Sequence, residues 1–376
     1  MKVLQITSDW KWTGPAEPML RLALALRARG HDVSIAAPEA PPGAGRGLAE
    51  EARAAGLPPV VTLVRGRGLQ LVRDTREVRS LRAFLEAREI EVVHAWHTRD
   101  HLIAHAAVAA RRRRGRAVLV RSLRTAEPPR ATPWARWLLG PATDALVCVS
   151  PGSAERCRPL RAGRLVAGVF GAVDLERYRP APPDPRVRSG LGLGPRHRVV
   201  GIVARVQAHR RFDLLLEAAA RLFQTDPDAR LLVIGRGTRR AELAEQPAVR
   251  LGIADRVVFA GYRAADYADV LRAIDVFTFL VPGSDGTCRA LLEAQACGIP
   301  AVTSRRGALP ELVEDGRTGL LVDEDPEALA KAWASLLGDP ARRATLGAYA
   351  AQRAATRFAP DRYASDVLAV YEAARV

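Results

Sequence analysis

The sequence has few cysteines and no apolar run long enough to span a membrane. Its 376 residues include four cysteines, which form no Cys-x-x-Cys pair and show no metal-ligand spacing. The longest uncharged apolar run, around residues 102–110, is too short to cross a bilayer. The segment Val3–Thr7 leads directly into a polar loop and does not fit a secretory signal. We therefore expect a cytoplasmic protein with reduced thiols, most of them in the core. Any membrane contact would be peripheral, at the inner face of the cytoplasmic membrane.

Lysine is almost absent, although the chain is strongly basic. Three of the 57 basic residues are lysine, and the net charge is +16. Residues 1–180 carry 30 Lys plus Arg against 17 Asp plus Glu, whereas the remainder carries 27 against 24. The basic half fits an anionic membrane surface, an anionic acceptor or nucleic acid, and it equally fits an arginine-rich solvated surface.

Strand and helix patterns alternate along the chain and begin anew in its second half. Val3–Thr7 is predicted to be a buried strand, Ala16–Arg29 an amphipathic helix and Asp32–Ala36 a second strand, which is the start of a parallel α/β sheet. A second strand-first unit starts at Val199–Arg205, after a stretch rich in Pro, Gly and Arg. We predict an N-terminal domain over residues 1–179, a linker over 180–198, a C-terminal domain over 199–359 and a final helix over 360–376.

Two short segments of the first half allow two interpretations each. Pro133–Leu139 contains Trp134 and Trp137 and fits either a packed core segment or a membrane-interfacial helix; we favour the core. Arg111–Arg116 fits a helix C-terminal cap with a solvated loop, or a site for phospholipid headgroups.

The stretch from Ser284 to Gly298 holds two acids in different settings. Asp285 lies in a turn before Gly286, and Glu293 lies between Leu292 and Ala294 in a short helix. Burying the Glu293 carboxylate is costly unless hydrogen-bond donors meet it, and the helix N-terminus favours anions and hydroxyls. The stretch therefore predicts either a ligand site or an ordinary solvated acid on an amphipathic helix.

This stretch, together with Gly307–Gly316 and Thr318–Val322, resembles the donor-binding half of the family 4 glycosyltransferases, the glycosyl transferases group 1. The resemblance implies an α/β protein of the GT-B type, with two facing Rossmann-like domains, a cleft between them and a C-terminal helix that crosses back to the first domain. The family's acidic pair is normally two glutamates; Asp285 and Glu293 stand here. Thr287 and Cys288 replace an aromatic residue and a glycine.

The resemblance also implies a set of donor-binding residues. Arg205 and Arg210 match the family's Arg and Lys that grip the donor diphosphate, and guanidinium groups suit that task. A loop that contains Gly14, a turn that contains Gly235 and Gly237, and a turn at Gly261 approach the nucleotide. The implied donor-binding set is Gly14, Arg205, Arg210, Gly235, Gly237, Tyr262, Asp285, Gly286, Thr287, Cys288 and Glu293.

Three histidines and an aspartate follow the predicted strand Glu91–Ala95 in the sequence His94-Ala-Trp-His-Thr-Arg-Asp-His101. Strand ends of this kind face the ligand crevice of an open α/β sheet. The family often has His-x-His here; His94 matches one position, and His97, Asp100 or His101 stands in for the other. The alternative is a helix-capping Asp100 beside packed histidines. The implied catalytic set is Asp285, Glu293, Arg205, Arg210, His94 and His97, and the acceptor-binding set is His97, Asp100 and His101.

The resemblance implies a metal-independent, retaining hexosyltransferase without a cofactor, for which a UDP- or GDP-sugar is a co-substrate. The leaving phosphate helps to deprotonate the acceptor. The acceptor is expected to be a carbohydrate or a lipid-linked sugar of cell-surface polysaccharide, lipopolysaccharide or glycolipid synthesis. The alternatives are a GT-B epimerase or phosphorylase-like enzyme, an inactive GT-B scaffold, and a basic protein that binds nucleic acid or membrane. We do not expect nucleic acid to be a partner.

Overall fold

The computed structural model describes residues 1–12, 16–44, 47–63, 71–282 and 286–375. Contacts divide these residues into two compact units. Unit 1 comprises residues 1–172, 286–287 and 360–375, and unit 2 comprises residues 173–282 and 288–359. The predicted linker, 180–198, falls within unit 2 and contains a short helix, Pro185–Gly190. No described helix combines the length and the apolar character that crossing a bilayer requires.

Unit 1 is a seven-stranded parallel sheet with the strand order β3-β2-β1-β4-β5-β6-β7. The strands are β1 Lys2–Ile6, β2 Asp32–Ala37, β3 Val61–Thr62, β4 Val92–Ala95, β5 Val118–Leu123, β6 Ala145–Cys148 and β7 Leu165–Gly168. The helices of this unit are α1 Ala16–Ala28, α2 Leu48–Ala54, α3 Leu71–Ala87, α4 Thr98–Arg113, α5 Pro133–Leu139, α6 Pro151–Cys157 and α15 Pro360–Arg375.

Helices cover both faces of the unit 1 sheet, which is why its strands are apolar on both sides. On one face α15 lies beside α1 and buries Val367, Val370 and Tyr371 against Met19 and Leu22. On the other face α3 and α4 pack on the sheet. The final helix therefore belongs to the unit with which the chain begins.

Unit 2 is a six-stranded parallel sheet with the order β10-β9-β8-β11-β12-β13. The strands are β8 Arg198–Val203, β9 Ala229–Ile234, β10 Val257–Gly261, β11 Val276–Phe279, β12 Ala301–Ser304 and β13 Gly319–Val322. The helices are α7 Pro185–Gly190, α8 Phe212–Thr225, α9 Gln246–Arg250, α10 Tyr267–Arg272, α11 Arg289–Ala296, α12 Leu309–Leu312, α13 Pro326–Leu337 and α14 Pro340–Arg357.

Three helices of unit 2 begin at an Asp-Pro pair. In α7, α13 and α14 the aspartate side chain accepts a hydrogen bond from a backbone N–H of the first turn, and the proline occupies the first helical position. Proline has no N–H to leave unsatisfied there, and its fixed φ suits the helix. The main core of this unit lies between the sheet and α8 and α13, where Trp333 and Leu215 are fully buried.

Candidate functional site

The candidate donor site lies at the carboxyl edge of the unit 2 sheet, where the strand order reverses. The chain moves outward from β8 to β9 and β10, and then continues at β11 on the other side of β8. In open α/β sheets, ligands bind beyond the strand ends at such a reversal. Arg205 and Arg210 follow β8, and the chain after β11 passes Val281 on its way to α11.

Arg210 joins the two loops at this reversal. Its Nη1 donates to the carbonyl oxygen of Val281 at 2.6 Å, and its guanidinium lies 5.9 Å from the ring centroid of Phe279. Burial lowers the pKa of Arg210, but the group remains a cation at neutral pH. The Arg205 side chain is exposed. Two cations of different accessibility therefore lie beyond the end of β8.

Glu293 is buried and receives a hydrogen bond, as its position between apolar neighbours predicts. Its residue is 5% exposed, the hydroxyl of Tyr267 donates to Oε2 at 2.8 Å, and Nε of Arg289 lies 3.5 Å from Oε1. Burial raises the pKa of Tyr267, and the Glu293 charge raises it further. The Tyr267 ring also packs edge-on against Tyr178, with 6.0 Å between centroids. Tyr267 was not among the predicted site residues, because one tyrosine at a helix start carries no distinctive signal.

Gly235 and Gly237 allow the backbone after β9 to pack directly on the backbone after β8. A Cβ at Gly235 would lie 2.2 Å from the carbonyl oxygen of Ala204, and one at Gly237 would lie 2.4 Å from that of Val206. Gly235 also has φ +142°, which side chains rarely adopt. Both glycines are thus required by local packing, whatever they contact in a ligand.

The other predicted donor residues are placed as follows. Tyr262 is 67% exposed, and the guanidinium of Arg236 lies 4.9 Å from its ring centroid. Cys288 is buried, belongs to unit 2 and precedes α11 in the left-handed conformation, at φ 52°. Gly14 and Asp285 lie outside the described residues.

Gly286 and Thr287 group with unit 1. The Gly286 N–H donates to the carbonyl oxygen of Arg124 at 2.7 Å, and Nη2 of Arg124 lies 3.4 Å from Oγ1 of Thr287. The guanidinium of Arg124 also lies 5.4 Å from the ring centroid of Trp96. Arg124 was not among the predicted site residues; its position directly after β5, at a strand end, was the available signal.

Unit 1 has its own strand-order reversal, between β1 and β4, and His97 lies beside it. Its Nδ1 is 3.0 Å from Oγ1 of Thr7, which follows β1, and its side chain is 32% exposed. Asp100 accepts hydrogen bonds from the N–H groups of Ser8 and His97, both at 2.7 Å. Although burial opposes its ionisation, the hydrogen bond and charge of His97 hold the pKa of Asp100 below its usual value. Asp100 therefore caps α4, as the alternative interpretation of this segment expects.

His94 and His101 are fully buried within unit 1. His94 lies 2.6 Å from the hydroxyl of Tyr371 and 2.8 Å from that of Ser122. His101 lies 2.8 Å from the hydroxyl of Thr143. Burial lowers the pKa of each imidazole to about 3, and the Arg121 charge adds to the effect. Both are neutral hydrogen-bonding groups, and their burial favours a structural role; of the three histidines, His97 has the side chain that solvent reaches.

Among the described residues, no group of three or more His, Cys, Asp or Glu side chains is arranged to hold a metal ion. The four cysteines are buried and unbridged, in agreement with the expected core thiols. Metal independence itself stays a prediction.

Comparisons with known proteins place both halves of the chain in one family. A profile described as glycosyl transferases group 1 matches residues 197–339, and one described as glycosyltransferase family 4 matches residues 14–177. The chain is 42% identical to a D-inositol 3-phosphate glycosyltransferase of Rhodococcus opacus over 217 residues, which are 55% of this chain and 48% of that protein. The chain thus spans about half the length of that relative.

Two further proteins are similar over nearly the whole chain. The lipopolysaccharide core biosynthesis mannosyltransferase LpsB of Rhizobium meliloti is 28% identical over 369 residues, which are 96% of this chain and 94% of LpsB. The crystal structure of Anabaena HepE in complex with UDP superposes with a TM-score of 0.79 at 21% identity, and covers 99% of this chain and 100% of HepE. The chain belongs to family 4 of the glycosyltransferases, the glycosyl transferases group 1, and has their GT-B fold with two parallel-sheet, Rossmann-like domains.

Proposed function

We propose that this chain transfers a hexosyl group from a UDP- or GDP-sugar to an acceptor hydroxyl with retention at the anomeric carbon. The observation that carries the proposal is the hydrogen bond from Arg210 to Val281, which fixes a cation at the strand-order reversal of unit 2. A guanidinium in that position suits a diphosphate, because it offers several charge-assisted donors. HepE, which has the same fold, holds UDP in its crystal, and this supports a nucleotide as the ligand here.

Three side chains of unit 2, those of Arg205, Arg210 and Glu293, would hold the diphosphate and the ribose of the donor. Arg205 and Arg210 would stabilise the negative charge that develops on the leaving diphosphate, more than they stabilise the bound donor. Glu293 would accept hydrogen bonds from the ribose hydroxyls, sharing its carboxylate with Tyr267. Asp285 would hold a hydroxyl of the sugar, and the backbone amides of residues 286–288 would orient the ring.

The reaction itself requires no protein nucleophile in this proposal. The bond between the anomeric carbon and the diphosphate oxygen breaks, and the acceptor oxygen forms a bond on the same face. The acceptor proton passes to the departing phosphate, and the reaction uses neither a metal nor a cofactor. The work of the protein is then to place donor and acceptor and to stabilise charge on the leaving group.

The acceptor would be bound by unit 1, and His97 is the leading candidate because it lies at that unit's strand-order reversal with an exposed imidazole. The likeness to LpsB over nearly the whole chain supports an acceptor from lipopolysaccharide, another cell-surface polysaccharide or a glycolipid. A lipid-linked acceptor also agrees with the basic first half of the sequence and with peripheral contact at the cytoplasmic face of the membrane.

The test begins with binding of UDP, GDP and ADP, followed by their sugar conjugates. A nucleotide that binds the folded chain should raise its unfolding midpoint, and calorimetric titration then gives Kd. Arg205→Ala should raise the Kd of the preferred nucleotide by about 10-fold to 100-fold, which corresponds to one charge-assisted hydrogen bond. Arg186→Ala is the matched control, because Arg186 is an exposed arginine of α7 in the same unit.

Donor turnover separates an enzyme from a binding protein. Glu293→Ala and Arg205→Ala should each reduce release of nucleoside diphosphate from the preferred donor, and unchanged turnover in both would refute the site. Nucleotide binding without any turnover would identify an inactive scaffold. Absence of nucleotide binding, together with salt-sensitive binding of DNA, would overturn the proposal altogether.

A further inference from the structure

Two tryptophans on α5 lie on the surface of unit 1. Trp134 is 51% exposed and Trp137 is 39% exposed, whereas Ala135, Leu138 and Leu139 on the opposite face are buried. The expectation that this segment is core is therefore wrong for the indoles. The rings lie 5.1 Å apart at an interplanar angle of 30° and form one continuous apolar surface. Two exposed indoles one helical turn apart are unusual on a surface that contacts only water.

The sequence around this aromatic pair is rich in arginine. The sequence from 105 to 136 contains nine arginines and a single acid, Glu127. The His105 ring of α4 packs edge-on against Trp137 at 5.3 Å, and Nη2 of Arg112 donates to the carbonyl oxygen of Pro141 at 3.4 Å. The C-terminal end of α4 thus lies beside the end of α5. Its last residues continue into exposed arginines, and Arg136 is exposed on α5 itself.

We infer that this α5 surface, defined by Trp134, Trp137, Arg113, Arg114 and Arg136, docks on an anionic lipid bilayer. Indole rings favour the boundary between headgroups and acyl chains, because they are apolar but carry one N–H donor. Arginines beside them are attracted to anionic headgroups within a Debye length of the bilayer surface. The apolar surface and its charge therefore fit the same partner.

Single-stranded nucleic acid also binds aromatic residues set among arginines, but the geometry here is less suitable. Bases stack on aromatic rings whose faces are open. In the α5 surface the two indoles cover each other in part, and His105 contacts the edge of Trp137. The surface shares no residue with the donor site of unit 2, so its test does not depend on the proposed transfer reaction.

The test is flotation of the full chain with vesicles of phosphatidylcholine alone and with an equimolar mixture of phosphatidylcholine and phosphatidylglycerol. The chain should bind the anionic vesicles only, and added salt should weaken binding. The double variant Trp134→Ala, Trp137→Ala should weaken binding more than about tenfold. Arg113→Ala with Arg114→Ala should weaken it about fivefold for each arginine removed. Tyr349→Ala is the matched control, since it removes a 44%-exposed aromatic side chain from unit 2, and it should leave vesicle binding unchanged.

Brominated lipids give a second measurement. They should quench the tryptophan fluorescence of the wild-type chain, and the double tryptophan variant should lose most of that quenching. If this variant unfolds at a lower temperature than wild type without vesicles, the test relies on the variant Arg113→Ala, Arg114→Ala, which changes exposed side chains only. Equal vesicle binding by all variants would overturn the inference. So would binding of single-stranded DNA that depends on Trp134 and Trp137, or a dimer that the tryptophan substitutions dissociate.

Discussion

The hydroxyl of Tyr267 should contribute to stability only while the Glu293 carboxylate is present. Tyr267→Phe removes the 2.8 Å hydrogen bond to Oε2 and leaves the ring and its packing on Tyr178 in place. The substitution therefore isolates one hydroxyl group. It tests whether the Tyr267 hydroxyl orients the carboxylate of Glu293, the acid predicted to bind the donor.

The size of the effect follows from the charge of the acceptor. A hydrogen bond to a charged group contributes about 1.5–3 kcal/mol, compared with about 1 kcal/mol for a neutral pair. Tyr267 is only partly buried, so we expect Tyr267→Phe to lower the free energy of unfolding by about 2 kcal/mol. In a Glu293→Ala background the same substitution should cost less than about 0.5 kcal/mol, the usual scatter for independent sites.

Urea denaturation of wild type, the two single variants and the double variant measures this coupling. Tyr349→Phe, which removes an exposed hydroxyl from unit 2, is the control and should change stability very little. Nucleotide titration of Tyr267→Phe should show weaker binding, because the carboxylate loses one of the groups that orient it. If Tyr267→Phe lowers the free energy of unfolding equally in both backgrounds, the coupling is refuted. An unchanged nucleotide affinity would show that Tyr267 does not contribute to the donor site.

Two further predictions concern unit 1. Lowering the pH from 7 to 5 should destabilise it, because burial lowers the pKa of His94 and His101 to about 3 in the folded chain, whereas an imidazole in the unfolded chain has a pKa of about 6.5. The unfolded chain then takes up protons that the folded chain cannot. By linkage, the free energy of unfolding should fall by about 2 kcal/mol for each histidine between pH 7 and pH 5. The double variant His94→Gln, His101→Gln should show a weaker pH dependence of stability in urea denaturation. A pH dependence equal to that of wild type would contradict this. Arg161→Met should cost at least about 3 kcal/mol, because this fully buried side chain donates to the carbonyl oxygens of four residues, Leu139, Thr143, Asp144 and Leu165. The exposed Arg158 provides the control substitution Arg158→Met, and equal stability of the two variants would refute the role of Arg161.

Local signals made much of the fold predictable. Helices α13 and α14 each begin at an Asp-Pro pair, which is a start signal that the sequence itself displays. The buried strands β1, β2 and β8 were evident from continuous apolar runs. By contrast, β7 was missed because Leu165–Gly168 is short and contains alanine and glycine, and α7 was missed because its surroundings are typical of a linker.

The candidate site was harder to predict, because it depends on which distant side chains meet. The sequence indicates that donors must meet Glu293, but it does not indicate that Tyr267, 26 residues earlier, supplies one. Periodicity likewise places Trp134 and Trp137 on one face of α5, but it does not reveal that the other face is the buried one. For His94, alternation along β4 leaves open whether the side chain faces a ligand or, as observed, α15.

The membership of α15 in unit 1 affects the order in which the chain can fold during synthesis. His94 obtains its partner Tyr371 only 277 residues later, which at ribosomal rates of about 5–20 residues per second takes roughly 15–55 s. Throughout that time the face of the sheet that α15 covers lacks its helix. All of unit 2 is synthesised before that helix and can therefore fold first, in reverse of the usual N-to-C order. Nascent unit 1 would thus be a substrate for chaperones that hold exposed apolar sheet faces.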